Sequence, residues 1–284
     1  MNRAALAEQG LLNAPFNPAF GSQFELPVTA LEACGCEIAP DLERRRLGFR
    51  NPNDQRAYVG EYARFLEARL AATELPNFIA SSEHIHAWLT TLERIAALDE
   101  FLCARFSQVT YLLYLRPQEE LVTSSYSEAI RRGARHDFAT HLDRHGKIDH
   151  WRSLKRWLEV VGRDRLELRL MTRDALVGGD LLQDFCAVAG INLAGLERPP
   201  RVNTSLTQEE IALRRKLNAV LPVQARSGGP NPLYTSALRL LRPLFPGQGR
   251  LRLTGAQVAT LRARNHESNE KIRKRFFYHR EALF

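Results

Sequence analysis

The chain has 284 residues, 44% of them hydrophobic and 25% charged, with a formal net charge of +8. It is long enough for one large domain or two small ones with a real core. Its main apolar run, Val109–Leu115, is broken only by Thr110 and is far too short to span a bilayer. The start, MNRAALAEQGLL, has no long apolar core after its arginine, so no signal peptide is expected. Four cysteines (Cys34, Cys36, Cys103, Cys186) do not make a disulfide framework, which predicts a reducing, cytoplasmic setting. From Arg250 to Phe284 there are nine Lys/Arg against three Glu, so +6 of the charge sits in the tail. One local anionic contact is expected there: nucleic acid, a phosphorylated cofactor or an acidic glycan.

In chain order, Ala4–Leu12 reads as a short helix, followed by a Pro/Gly/Asn-rich loop to about Pro27. Thr29–Cys34 reads as one helical turn. Asn51 to Asp54 is a start signal for a helix over Gln55–Ala72, with Tyr58, Tyr62, Phe65, Leu66 and Leu70 at helical spacing. Asn77–Ser81 is a short strand, and His86–Phe106 a long amphipathic helix. Val109–Leu115 is the second strand and Gln118–Arg132 the helix after it. Phe138–His145 and His150–Val161 are helices separated by Gly146. Arg165–Thr172 alternates as a third strand, and Asp180–Ala189 is a helix ending at Gly190. Thr207 with Glu210 makes a capping box for a helix through Ala219. Pro222–Gly249 reads as a connection, and Thr254–Tyr278 as a closing helix.

Strands separated by helices predict a three-layer α/β/α domain with a mostly parallel sheet. One domain over 1–284 is expected: a core over 1–222, a Pro/Gly-rich connection or lid over 223–249, and a basic C-terminal helix over 250–284. Three strands are few for this length, so an incomplete sheet or strands lost to this reading are expected.

In open parallel sheets, ligands bind beyond the carboxyl ends of the strands. Two strand ends carry polar groups of the right kind, Ser81–Ser82–Glu83 and Arg116. An arginine at a strand–helix junction, followed by Ser124 on the helix, supplies a planar charged fork and a directed hydroxyl for a phosphate. If the two strands are neighbours, Glu83 opens onto the same crevice and can take a proton from an acceptor hydroxyl. The plainer readings are a first-turn acid for Glu83 and an ion pair with Glu119 or Glu120 for Arg116. Tyr126 lies on a different helix face from Ser124 and reads as a core aromatic.

The pattern Arg116–Pro117…Glu120…Ser124–Ser125–Tyr126 resembles the 3′-phosphate motif of sulfotransferases that use 3′-phosphoadenosine 5′-phosphosulfate (PAPS). IASSEHI resembles the strand-plus-glutamate segment of a bacterial branch of that family. Ile148–Leu176 resembles its helix–strand segment, Arg201–Asn218 its Asn/Ser loop and capped helix, and the closing helix around Asn269 carries a weaker likeness. The resemblance covers most of Leu75–Asn218. It implies a P-loop-transferase fold and in-line sulfuryl transfer from PAPS to a hydroxyl or amine, carbohydrate by family analogy. It also implies Arg116 and Ser124 on the 3′-phosphate, Glu83 as base, and no metal.

One departure stands out. Such enzymes begin with a strand and a Gly/Thr/Ser-rich loop whose amides and lysine hold the 5′-phosphosulfate. No G-x-x-x-x-G-K-S/T occurs, and Gly178–Gly179 and Gly247–Gly249 have the wrong surroundings. Asn2–Leu6 resembles the helix after that loop, so the chain as written is expected to start just past its first strand, truncated or with a mis-set start, and to be impaired in transfer.

Other signals compete. His136, His141, His145 and His150 cluster, and His141 and His145 share a helix face as zinc ligands do; surface histidines are the expectation. Cys34–Gly35–Cys36 lacks a second pair. The serines of Thr123–Ser127 lack a G-x-S-x-G context, which disfavours a hydrolase nucleophile. Lys271–Arg275 reads as solvated cations at a helix end, as a contact to PAPS or an anionic acceptor, or as a nucleic-acid patch. The last defines the alternative to an enzyme: a non-catalytic basic protein that binds nucleic acid or polyanions. No membrane span is expected.

Overall fold

The computed structural model describes residues 2–18, 20, 22–39, 42–198, 205–225, 229–245, 247 and 249–284. In chain order they form α1 (Arg3–Ala7), β1 (Leu11–Leu12), α2 (Glu25–Ala33), α3 (Leu42–Arg46), α4 (Pro52–Ala71), β2 (Asn77–Phe78), α5 (Glu83–Trp88) and α6 (Leu92–Cys103). There follow β3 (Tyr111–Leu115), α7 (Gln118–Arg131), α8 (Phe138–His145), α9 (His150–Val161), β4 (Leu166–Leu170), α10 (Leu181–Val188), α11 (Gln208–Val220), α12 (Pro232–Leu241) and α13 (Gly255–Phe276).

The strands are short and form two pairs. β1 runs parallel to β2, with Leu11 opposite Asn77 and Leu12 opposite Phe78. β3 pairs with β4, and the Tyr111 N–H donates to the Arg165 carbonyl at 2.8 Å. Helices joined by short strands in small sheets give the coarse α/β class. The strands read from sequence at Asn77–Ser81 and Val109–Leu115 thus each pair with a different partner. β1 was hidden inside the helix expected over Ala4–Leu12. Gly10, at φ +78°, ends that helix and turns the chain into the strand.

Three further differences have local causes. The loop expected up to Pro27 contains the start of α2. Pro27 sits in its first turn, where the N–H has no intrahelical partner to lose. The buried Glu25 carboxylate accepts the Phe16 N–H at 2.9 Å, and the Glu25 carbonyl accepts the Thr29 hydroxyl at 2.8 Å. The long helix expected over His86–Phe106 breaks after Trp88. Thr91 takes extended backbone and accepts the Arg94 N–H at 3.4 Å, so it starts a new helix. The connection expected over Pro222–Gly249 contains α12, capped by Asn231 (to the Leu233 N–H, 3.0 Å) with Pro232 at its first position.

Elsewhere local signals and structure agree. Asn51 and Asp54 form a reciprocal capping box on α4. Thr207 caps α11 through the Glu210 N–H, but the Glu210 carboxylate turns forward to Arg214 at 2.9 Å instead of closing the box. Among the described residues, no helix is long and apolar enough to cross a membrane.

The chain divides into two compact units, Met1–Tyr114 with Arg152–Arg198, and Leu115–Trp151 with Pro199–Phe284. The first packs Phe24, Val28, Leu31, Ile38 and Phe49 together. Its polar knot is Asp184, which is fully buried and accepts from Tyr114 Oη (2.7 Å), Arg169 Nε (3.1 Å), Arg169 Nη2 and the Val177 N–H (3.0 Å). Burial pushes this carboxyl up, but the Arg169 and Tyr114 hydrogen bonds outweigh it and hold it below the usual range. The second unit packs Val122, Leu142 and Leu261 in one cluster and Tyr126, Ile130, Leu206 and Ile211 in another. Its buried Asn218 donates to the carbonyls of Ile130 and Ala134 at the end of α7 and accepts from Tyr234 Oη at 2.8 Å.

Asp184→Ala should destabilise the chain by roughly 3 kcal/mol, because it strands Arg169 and Tyr114 without an acceptor. Urea denaturation would read this as a lower midpoint. An unchanged midpoint would contradict the role given to this carboxylate.

Candidate functional site

β3 delivers Arg116 to a junction whose backbone is tied from two directions within the second unit. The Arg116 carbonyl lies 2.9 Å from His150 Nε2. A carbonyl only accepts, so Nε2 carries the proton and donates. On the next residue but one, Gln118 pairs with Asn269 of α13: Gln118 Nε2 donates to Asn269 Oδ1 at 2.8 Å, and Asn269 Nδ2 donates back to Gln118 Oε1 at 3.3 Å. Gln118 and His150 are buried. Further along α13, Asn265 accepts the Ile148 N–H at 2.7 Å and donates to the Gly146 carbonyl at 2.8 Å, and Ser268 accepts the Trp151 N–H at 2.9 Å. α13 thereby fixes both the start of α7 and the segment that carries His150.

The Arg116 side chain is about one-third exposed. Its Nε donates to Glu120 Oε2 at 2.8 Å, an i,i+4 pair. Glu120 is therefore the ion-pair partner; Glu119 instead accepts from Arg262 Nε at 3.1 Å. Only Nε is engaged. Arg116 Nη1 and Nη2 make no hydrogen bond among the described residues. Ser124 lies one turn beyond Glu120 on the same face. Its hydroxyl differs from its neighbours'. Thr123 donates to the Glu119 and Glu120 carbonyls, Ser125 to that of Val122, and Ser127 to that of Thr123. Such back-bonding is the usual fate of helical hydroxyls. Among the described residues the Ser124 hydroxyl has no such partner, which leaves it and the outer edge of the Arg116 fork open to a ligand.

Glu83 belongs to the first unit, Arg116 and Ser124 to the second. Glu83 is the first residue of α5, after the cap Ser82, whose hydroxyl accepts the His84 N–H at 3.3 Å. Its side chain is 83% exposed, with Oε1 4.0 Å from His84 Nε2. The first-turn position favours a carboxylate whatever else it does. The first unit also holds a cavity of about 250 Å³ lined by Ile38, Trp88 and Arg94 among others, and none of the three expected site residues lines it.

The basic tail is mostly spoken for. Lys271 pairs with Glu267 at 2.6 Å, Arg273 with Glu270 at 2.8 Å, and the Arg275 guanidinium lies 4.7 Å from the centre of the Trp151 ring. Asn203 and Thr204, from the loop that resembled the family's Asn/Ser segment, lie outside the described residues. Tyr126 is a core aromatic as expected, 1% exposed, with its hydroxyl donating to the His136 carbonyl at 3.0 Å.

Two of the four histidines differ from the surface residues expected, whereas His145 is exposed. His141 and His150 are buried, because α8 lays His141 against α7 and because His150 serves the Arg116 carbonyl. His141 Nε2 lies 2.9 Å from Ser125 Oγ, and His141 Nδ1 lies 3.1 Å from His136 Nε2. His145 packs its ring 4.5 Å from that of His141. Among the described residues, no group of His, Cys, Asp or Glu is arranged to hold a metal ion. Sequence reading missed Gln118 and His150 as parts of the Arg116 junction, and the Ser125–His141 contact between α7 and α8. The local signal was the clustering of His136, His141, His145 and His150.

No family model matches the chain, and neither does any curated protein or solved structure.

Burial, with smaller effects from His145 and His136, lowers His141 from 6.5 to about 4. His136 is lowered too, by burial and by Arg144, His145 and Arg215, against Asp137. The folded state thus refuses protons that the unfolded chain accepts. Stability is full above about pH 6.5 and falls as the pH drops from there towards 4. One proton contributes at most about 1.4 kcal/mol per pH unit in that window. Urea midpoints measured from pH 7 to 4.5 should show a shallower decline for His141→Gln than for the parent chain. Parallel declines would contradict the assignment.

Proposed function

We propose that this chain is a sulfotransferase-like protein of the α/β class that binds PAPS and transfers its sulfuryl group to a hydroxyl or amine. Its core is the three-layer arrangement of the P-loop transferases. The supporting observation is the pairing of two open groups on one helix line. Arg116 presents a fork held by Glu120 through Nε alone, and Ser124 keeps its hydroxyl clear of the helix carbonyls. A ribose 3′-phosphate offers oxygens to both, a charge-assisted pair of bonds from the guanidinium and a neutral one from the serine.

Glu83 is the base in this reading, an exposed carboxylate at the start of a helix that takes the proton of the acceptor. The acceptor is a glycan by analogy alone, and the site of action is the cytoplasm. The chain shows no Gly/Lys loop for the 5′-phosphosulfate, so nucleotide binding and sulfuryl transfer are separable questions for it.

Thermal unfolding with adenosine 3′,5′-bisphosphate tests the binding half. The parent chain should show a saturable rise in Tm. Arg116→Ala should lose roughly 2–5 kcal/mol of nucleotide affinity if the charge pair is desolvated, and Ser124→Ala about 1 kcal/mol. An equal shift in the parent and Arg116→Ala would remove the reading. A response that follows total anion and vanishes with added salt would favour the polyanion-binding alternative.

A further inference from the structure

The contact between α7 and α8 holds a second cluster that the nucleotide reading does not use. Ser125 follows Ser124 directly, so its side chain leaves α7 about 100° away from the Arg116–Ser124 line. Ser125 is exposed, while His141 behind it is 3% exposed. The His136 and His141 rings are inclined by only 4°, with centroids 5.4 Å apart and facing nitrogens 3.1 Å apart. Parallel planes with that spacing place the rings edge to edge, nitrogen aimed at nitrogen, rather than face to face.

One such N···N contact needs one proton between two neutral rings, and that fixes the polarity of the whole chain of bonds. In one polarity, His136 Nε2–H donates to His141 Nδ1, His141 Nε2–H donates to Ser125 Oγ, and the Ser125 hydroxyl donates to the Val122 carbonyl. In the other, every proton has shifted. The Ser125 hydroxyl donates to the His141 Nε2 lone pair, and His141 Nδ1–H donates to His136 Nε2. Both satisfy the buried nitrogens of His141. The second is the order of a nucleophile, its base and the group that orients the base.

We propose that Ser125, His141 and His136 form such a relay, and that Ser125 accepts acyl groups from carboxylic esters that carry an anionic group. Ser125 Oγ bonds to the carbonyl carbon and its proton passes to His141 Nε2. The tetrahedral adduct then breaks its bond to the leaving oxygen, which takes that proton and departs as the alcohol. Ser125 is left as an ester. His136 is a positioning residue: its Nε2 accepts from His141 Nδ1–H and steadies the imidazolium. The charged and titratable groups around the relay are Arg144, His145 and Arg215, opposed by Asp137. This cationic setting disfavours an imidazolium standing alone. A substrate that brings its own negative charge offsets it, hence the anionic class.

The full chain would be treated with 4-acetoxybenzenesulfonate, with phenyl acetate as neutral counterpart, at pH 6, 7 and 8. Release of the phenol and peptide mass would be followed. The expected result is an acetyl group on Ser125, faster from the sulfonate, at a rate nearly flat across this range because His141 is neutral throughout. His141→Gln should lose about 10²-fold, and its residual rate should climb about tenfold per pH unit, as an unassisted hydroxyl does. His136→Phe should keep Ser125 as the acetylated residue but slow its acetylation, and His136→Gln, whose amide oxygen can accept from His141 Nδ1–H, should restore most of the rate. The pH profile of the parent chain needs no variant to fold. An acetyl group absent from Ser125, a parent rate that climbs tenfold per pH unit, or a faster reaction with phenyl acetate would each overturn the proposal.

Discussion

The first turn of α7 is pinned by side chains rather than by its own cap. Pro117 precedes it and offers no capping group, so the junction relies on the buried Gln118–Asn269 amide pair and on His150 donating to the Arg116 carbonyl. Each such bond contributes only about 1 kcal/mol net, but leaving one of these buried groups unpaired costs more. That asymmetry holds the Arg116 backbone in one place. A guanidinium on a long flexible stem becomes a usable anion fork only if its root is fixed and one of its nitrogens is already spent on orientation. Glu120 supplies the second condition at 2.8 Å.

Three cations of α13 are engaged more fully than Arg116. Lys271, Arg273 and Arg275 engage Glu267, Glu270 and the Trp151 ring. The +6 of the tail already counts Glu267 and Glu270; what offsets it from outside is Glu119 on Arg262 and Asp143 on Arg264.

Much of the architecture was legible because it is written locally. Asn51–Pro52 announces α4, Gly146 separates α8 from α9, and alternation in Arg165–Thr172 gives β4 within two residues at each end. What was lost shares a cause. Pro27 and Pro232 look like breakers but occupy first turns, Thr91 caps where the apolar period runs on unbroken, and β1 is two residues inside an apolar stretch. At the candidate site, Arg116 at the strand–helix junction and Ser124 on α7 were readable from their spacing, and Tyr126 as a core aromatic. Gln118 and Asn269 stand 151 residues apart, and His150 acts on Arg116 across 34. No window of sequence contains such pairs, so the residues that position the arginine emerge only from the fold.

The proposed clamp for a ribose 3′-phosphate is tested most directly by two nucleotides that differ by that group alone. In a calorimetric titration of the full chain, adenosine 3′,5′-bisphosphate should bind at least about tenfold more tightly than adenosine 5′-monophosphate, a gap of about 1.4 kcal/mol. Equal affinities for the two nucleotides would contradict it.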